Sequence, residues 1–228
     1  MSTAHDRARS APSDRVRVRR VNDRGAYDRE TIDAVLDAAL IAHLGFVDDG
    51  QPFVIPTLHA RIGDDLYVHG SAAARSLRTL EAGVPVCVTV TLVDGIVLAR
   101  SVFEHSMNYR SVVILGTATA VTSSEEKNEA LHAFTEKLLP GRWEDARQPT
   151  ELELKATSVL RVPLDEASAK VRDGGPDGEP EEDLALDVWA GHIPLAVAAM
   201  PPVPAENLRV GIPVPSYAAE YRRPGLTL

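Results

Sequence analysis

Residues 52–71 read PFVIPTLHARIGDDLYVHGS, and the punctuation of this stretch decides the fold. PFVIPTLHARI reads as a strand, Gly63-Asp64-Asp65 is a turn signal and LYVH resumes as a second strand, so the two form a hairpin. Downstream, 85–93 (PVCVTVTLV) and 96–101 (IVLARS) are apolar runs on either side of Asp94-Gly95, which reads as a two-residue hairpin turn. The longer run 109–122 (YRSVVILGTATAVT) is a strand in which Gly116 marks a bulge or a close approach by another backbone. Residues 158–165 and 167–173 close the sheet.

Helical signals are fewer. In 29–44 (RETIDAVLDAALIAHL), Ile32, Val35, Leu36, Ala39, Leu40 and His43 fall at helical spacing, and Asp28 or Thr31 can cap the start. Gly45 and Asp48-Asp49-Gly50 then act as stop and turn signals. Residues 71–83 (SAAARSLRTLEAG) open on a Ser and end on a Gly, the punctuation of a short helix. A further helix spans 123–139, opened by Ser123 or Ser124 with Glu125 and Glu126 in its first turn. Antiparallel neighbours with few helices predict a mainly β protein, a barrel-like antiparallel sheet with peripheral helices at its rim, and disfavour a doubly wound parallel sheet.

The 228 residues carry 44% hydrophobic side chains, ample for a core without disulfide or zinc staples. The net charge of −9 speaks against a nucleic-acid partner. No run is long and apolar enough for a membrane span, and MSTAHDRARSAPSDR lacks the apolar run of a secretory signal. A single cysteine, Cys87, forbids an intrachain disulfide and a multi-cysteine metal cage, so a cytoplasmic location is expected. The charge is uneven. Eight Arg against five acids mark the first thirty residues, whereas 172–187 (RDGGPDGEPEEDLALD) hold seven acids and one Arg. The chain therefore divides into a flexible tail (1–14), one β domain (15–173), an acidic, solvated connector (174–187) and a Pro-rich C-terminal arm (188–228) that packs on the barrel or on a partner subunit.

Most catalytic signatures are absent. The chain has no P-loop, no GxGxxG after a strand, no HExxH and no GxSxG, and its seven His show no metal-site spacing, so no metal is expected. The informative stretch is LYVHGSAAARS. A strand delivers the chain to Gly70, which permits close backbone approach, and Ser71 opens a helix whose first N–H groups lack partners. Such a terminus is an anion site, and Arg75, one turn on, adds charge and bidentate phosphate geometry. The plainer alternative is a capping Ser71 with a solvated Arg75. Arg110, at the start of a strand after the loop SVFEHSM, is a second phosphate candidate, and Tyr109 offers a ring and a hydroxyl.

RGAYDRETID, PFVIPTLHARIGDDLYVHGS, ARSVFEHSMNYRSVVILGTA, LLPGRW and DVWAGHIPL together resemble the pyridoxamine 5′-phosphate oxidase-like superfamily of FMN-binding split barrels, and within it the flavin-nucleotide-binding branch that includes nitroimidazole-resistance proteins. The resemblance runs from about residue 16 to about residue 204. It implies an antiparallel split β-barrel, FMN as cofactor, and a homodimer with two flavin sites at the subunit interface. Val54, Ile55, Pro56 and Thr57 would lie along the flavin ring, His69, Gly70, Ser71, Arg75 and Ser76 near the ribityl phosphate, and Tyr109, Arg110 and Ser111 on a strand facing the cofactor. Trp189 resembles aromatic residues that reach the flavin from the partner chain.

Two departures matter. The basic residues on the flavin strand of true pyridoxamine phosphate oxidases are replaced by FVIPT, and their C-terminal substrate-binding stretch is not matched, so vitamin B6 oxidation is not expected. The implied function is an FMN-dependent oxidoreductase with a small-molecule electron donor and acceptor, in which His69 and His105 are the candidate proton donors. The alternative is a flavin-binding or sensor protein without turnover. Relatives also bind the deazaflavin F420 or haem, for which His69 or His105 could supply the axial ligand.

Overall fold

The computed structural model describes residues 10–73 and 80–222. Its strands are β1 (Gly25–Ala26), β2 (Ile41–Asp48), β3 (Gln51–Ile62), β4 (Asp65–Ser71), β5 (Pro85–Leu98), β6 (Ser106–Thr117), β7 (Thr119–Ala120), β8 (Thr157–Pro163), β9 (Ala167–Arg172) and β10 (Gly191–Pro194). They follow the antiparallel order β1-β9-β6-β5-β2-β3-β4-β8-β7, with β10 laid along β5.

The twelve-residue β3 makes this sheet a split barrel. Its first eight residues pair with β2, from Gln51 opposite Asp48 to Leu58 opposite Ile41. Only the last four, His59 to Ile62, pair with β4. Beyond His59 opposite Val68 the two strands part, and β4 continues against β8 with His69, Gly70 and Ser71 opposite Val159, Ser158 and Thr157. The chain thus forks between β3 and β4.

The sheet curls around one apolar core. Ala42, Leu44 and Phe46 of β2, Val86, Val88 and Val90 of β5, Val112 and Ile114 of β6, and Leu160 and Val162 of β8 all point inward. Helix α1 (Arg29–Ala38) adds Ile32, Val35 and Leu36 to that core, and Asp28 Oδ1 caps its first turn by accepting from Thr31 N at 2.8 Å. A second cluster lies where α2 (Ser124–Leu138) covers the other face of β4 and β8, with Ala130 and Phe134 against Tyr67 and Val159. Successive β4 side chains therefore serve different neighbours, Leu66 and Val68 the barrel core and Tyr67 the underside of α2.

Three local expectations are corrected. The helix expected over 29–44 ends at Ala38, because Ala39 is already extended (φ −87°, ψ 140°) and 41–48 is β2, whose Ala42, Leu44 and Phe46 alternate into the core. Leu40 and His43 matched the helical period by coincidence; pairing with β3 and β5 prevails over local preference. Gly45 is consequently not a stop but a mid-strand residue, and a Cβ there would lie 3.3 Å from the Cys87 carbonyl oxygen. Asp94-Gly95 is not a hairpin turn. Strand β5 runs unbroken through it and slips register against β6 between Val93 and Gly95, a bulge that leaves Asp94 unpaired in the ladder. Gly116, by contrast, is a site of close approach, with Val162 Cγ1 3.1 Å from where its Cβ would stand.

The acidic segment after β9 is anchored rather than freely solvated. Glu179, only 5% exposed, accepts from Arg100 N at 2.8 Å and Arg100 Nη1 at 3.0 Å. Asp177 takes both Arg24 and the buried Arg172, and Arg172 Nη1 donates to Asn108 Oδ1 at 2.6 Å. Composition could show the surplus of acids, not that the half-buried Arg100 after β5 and the buried Arg172 at the end of β9 each take one of them.

Farther on, β10 fixes the arm to β5, and Tyr217 hydrogen bonds to Asp145 and Arg142. Between Leu138 and Leu139 at the end of α2 and Met200, Pro201 and Tyr221 of the arm lies an apolar cavity of 690 Å³. Among the described residues no helix is long and apolar enough to cross a membrane.

Candidate functional site

The fork supplies what an extended cofactor needs from a protein edge. Between residues 51 and 58, β3 is paired with β2 on one side, and among the described residues no strand pairs with its other side. Backbone N–H and C=O groups that the ladder does not use need other partners. On this edge lie Val54 and Pro56, whose side chains are exposed, and Ile55 and Thr57, half-buried toward the interior. The opposite prong carries His69, Gly70 and Ser71. Two segments singled out from the sequence, FVIPT and HGS, therefore lie on the two prongs of one fork.

On the α2 face of that prong His69 carries an unmet hydrogen bond. Its ring packs against Phe134 with centroids 4.3 Å apart, and its Nδ1 is buried without a partner. Burial holds its pKa below the ordinary histidine value, so the ring is neutral near pH 7 and has one donor and one acceptor to offer. Ser71 Oγ accepts from Ala73 N at 3.2 Å, as a capping serine does. Arg75 and Ser76, and most of the short helix expected to carry them, lie outside the described residues. Two neighbours escaped the sequence reading. Ser158, directly opposite Gly70, donates to Glu81 Oε1 at 2.5 Å, and Thr157 stands opposite Ser71. Nothing local marks them, because a strand nearly ninety residues downstream brings them there.

The remaining candidates do not join this fork within one chain. Tyr109, Arg110 and Ser111 lie on β6, three strand positions from β3 and hence about 14 Å across the sheet. Arg110 is engaged by Asp94 through two hydrogen bonds, Nε to Oδ2 at 2.9 Å and Nη2 to Oδ1 at 2.7 Å. That pairing holds the guanidinium positive and competes with any phosphate for its fork of donors. His105 follows a short 3-10 turn, Val102–Glu104, and is exposed; its Nδ1 lies 2.9 Å from the Ser101 carbonyl oxygen. Val102 and Phe103 beside it are each 87% exposed, so the loop SVFEHSM presents its apolar residues to the outside. Cys87 is half-buried on β5, its thiol 3.9 Å from Thr89 Oγ1.

A mainly antiparallel sheet divided at β3, with an open strand edge facing a strand-to-loop terminus, is the architecture of a split β-barrel protein. The family model for pyridoxamine 5′-phosphate oxidase matches residues 28–171. The chain belongs to that family. Among solved structures it is similar to the flavocytochrome Anf3 from Azotobacter vinelandii, with 42% identity over 93% of this chain and 98% of that one and a TM-score of 0.87. It is also similar to the FAD and haem binding protein from Mycobacterium smegmatis, with 37% identity over 85% of this chain and 95% of that one and a TM-score of 0.81. A protein assigned to 5-nitroimidazole antibiotic resistance, from Bacteroides thetaiotaomicron, shares the fold at 23% identity over 63% of this chain and 84% of that one, with a TM-score of 0.54. No curated protein matches.

Proposed function

We propose that the protein is a flavin-binding oxidoreductase whose isoalloxazine ring lies along the open edge of β3 and whose phosphate end reaches Gly70 and Ser71. The observation that carries this reading is the fork itself: an unpaired strand edge at 54–57 faces a prong that ends in Gly70 and Ser71. When bound, the flavin supplies the electron chemistry, and the protein supplies position and polar contacts. The backbone of Val54, Ile55, Pro56 and Thr57 would meet the ring's polar edge, His69 would support the prong beside it, and Arg75 and Ser76 are the residues that the sequence offers to the phosphate. The family resemblance favours FMN. FAD is named for a relative that is 37% identical over 95% of its own length, and that makes FAD the better expectation here.

The same reading calls for a homodimer. Exposed Ile41 and Val54 and half-buried Thr89 lie on the outward side of β2, β3 and β5, and a twofold partner seated on that face would bring its own Tyr109 to Ser111 and Trp189 toward the fork. An absorption spectrum of the purified protein, followed by heat release and chromatography of the nucleotide, is the test. Flavin bands with released FAD support the reading, and FMN in its place corrects only the form. A protein that stays colourless after incubation with both nucleotides overturns it.

A second cofactor, haem, is favoured by a specific feature. His105 is oriented by a backbone carbonyl at Nδ1, the arrangement that fixes metal-binding histidines, and this directs Nε2 outward beside exposed Val102 and Phe103. Two proteins similar over nearly their whole length are a flavocytochrome and an FAD and haem binding protein. Of the two axial candidates His105 therefore fits better than His69, whose ring is packed under Phe134. A Soret band in the purified or haem-reconstituted protein supports this second reading, and its absence after reconstitution removes it.

A further inference from the structure

Away from the fork, α1, β3 and α2 meet at a cluster that the proposed flavin chemistry does not use. Lys137, in the last turn of α2, donates from Nζ to the Leu36 carbonyl oxygen at 2.6 Å and lies 3.0 Å from Nε2 of His59. His59 is fully buried, and the same Nε2 lies 3.0 Å from the Leu36 oxygen. The lysine also borders a cleft of 240 Å³ whose other walls are Asp37, Ala60, Arg61, Ala133, Glu136 and Pro140.

The geometry fixes the amine. A neutral amino group has two N–H bonds and one lone pair arranged tetrahedrally with its carbon. Here the Leu36 oxygen and His59 Nε2 stand where two N–H bonds can reach them, both inside the protein. Lys137 itself lines the cleft, the open space beside these two contacts. Burial lowers the Lys137 pKa to about 8, so about a quarter of the amine is neutral at pH 7.5, against about 0.1% for an ordinary lysine. His59, held to about 4 by burial and by the neighbouring lysine, is neutral throughout this range.

We propose that Lys137 is a covalent capture site for small neutral aldehydes, which enter the cleft and condense with its amine. The amine adds to the carbonyl carbon, two N–H hydrogens leave with the carbonyl oxygen as water, and a C=N bond remains; no oxidant or reductant is involved. The imine nitrogen carries no hydrogen, so both donated bonds are lost. The Leu36 oxygen keeps His59 Nε2 3.0 Å away, within reach of an Nε2–H. The cleft selects against anions. Asp37 pairs with Arg61, and Glu136 is kept a carboxylate by the Gly141 and Trp143 amides, so the acids around Lys137 outnumber the one arginine.

The test is competitive labelling within one molecule. The full chain, with whatever cofactor it carries as isolated, is treated at pH 7.5 with propionaldehyde and cyanoborohydride, and alkylation is followed peptide by peptide at Lys127, Lys137, Lys155, Lys170 and the amino terminus. Lys137 should react at least tenfold faster than Lys155. That ratio should fall to about one in denaturant, and K137R should lose only the Lys137 label. With glyoxylate, an anionic aldehyde, the ratio of Lys137 to Lys155 should drop severalfold. Labelling of Lys137 no faster than Lys155 in the folded protein overturns the capture site, and a glyoxylate ratio equal to that of propionaldehyde overturns its selectivity.

Discussion

Arg110 and Asp94 meet in a two-point ion pair at the place where β5 slips register against β6. The bulge and the pair explain one another. The extra residue takes Asp94 out of the ladder, and the guanidinium rising from β6 gives its carboxylate a partner. The pair should stabilise the fold modestly, because each side chain keeps 29% of its surface in contact with water. Asp94→Asn is expected to lower the unfolding free energy by about 1 kcal/mol, read from urea midpoints. An unchanged midpoint would show that the pair contributes nothing.

Stability should depend on pH through His59. Its folded pKa, about 4, lies below the ordinary value of 6.5, so between these values the unfolded chain binds the proton and the folded one does not. The stabilising contribution is complete above pH 6.5 and is lost as pH falls toward 4, on the order of 3 kcal/mol in all. Lys137 acts with the same sign at higher pH, adding stability as pH rises from about 8 toward 10.5. Denaturation midpoints measured from pH 7 to pH 4 should fall steeply in the parent and less steeply in His59→Gln. Parallel curves would remove His59 from the acid response.

Glu179 ties the acidic segment to the end of the barrel. Glu179→Ala leaves both the Arg100 amide and its guanidinium without their partner in a site that is 5% exposed at the carboxylate. The expected cost is about 2–3 kcal/mol, a fall in melting temperature of roughly 5 °C or more. Calorimetry of the variant decides it, and a melting temperature equal to the parent's would mean that the segment is dispensable.

Arg75 is the cation that the sequence places one turn beyond Ser71. Since Asp94 already engages Arg110, Arg75 has the larger share of the flavin phosphate charge to meet. Arg75→Ala should weaken flavin binding by about 1–3 kcal/mol, measured by fluorescence titration of the nucleotide. Unchanged affinity would separate the phosphate from the 71–76 segment.

Haem ligation by His105 predicts a spectroscopic change confined to one cofactor. His105→Ala should abolish or shift the Soret band while the flavin bands and nucleotide content stay as in the parent. If the Soret band survives unshifted, another histidine is the ligand.

Much of the fold was legible. Strand β4, helix α2 with its Ser123 cap, and strands β8 and β9 stand close to where turn residues and periodicity put them. The two failures have a common origin. Residues 41–48 satisfy both a helical and an alternating pattern, and Asp94-Gly95 satisfies both a turn and a bulge; in each case a distant strand selects the outcome. At the candidate site, HGS stood out because a glycine at a strand end is a local feature, whereas FVIPT stood out only through the family resemblance. Ser158 and Glu81 were not readable, since neither has a chemical reason to stand out until β8 lies beside β4. The same holds for Lys137, an ordinary lysine on a helix until Leu36 and His59 surround its amine.

The sequence by itself thus determined the fold class of the protein, because hydrophobic pattern, turn chemistry and family motifs are written along the chain. The tertiary structure alone decided that β3 parts from β4 at His59, that Arg110 is paired with Asp94, and that two acids of the connector hold Arg100 and the buried Arg172. Those facts depend on which strands become neighbours and which charges lose their water, and both are settled only when the chain closes on itself.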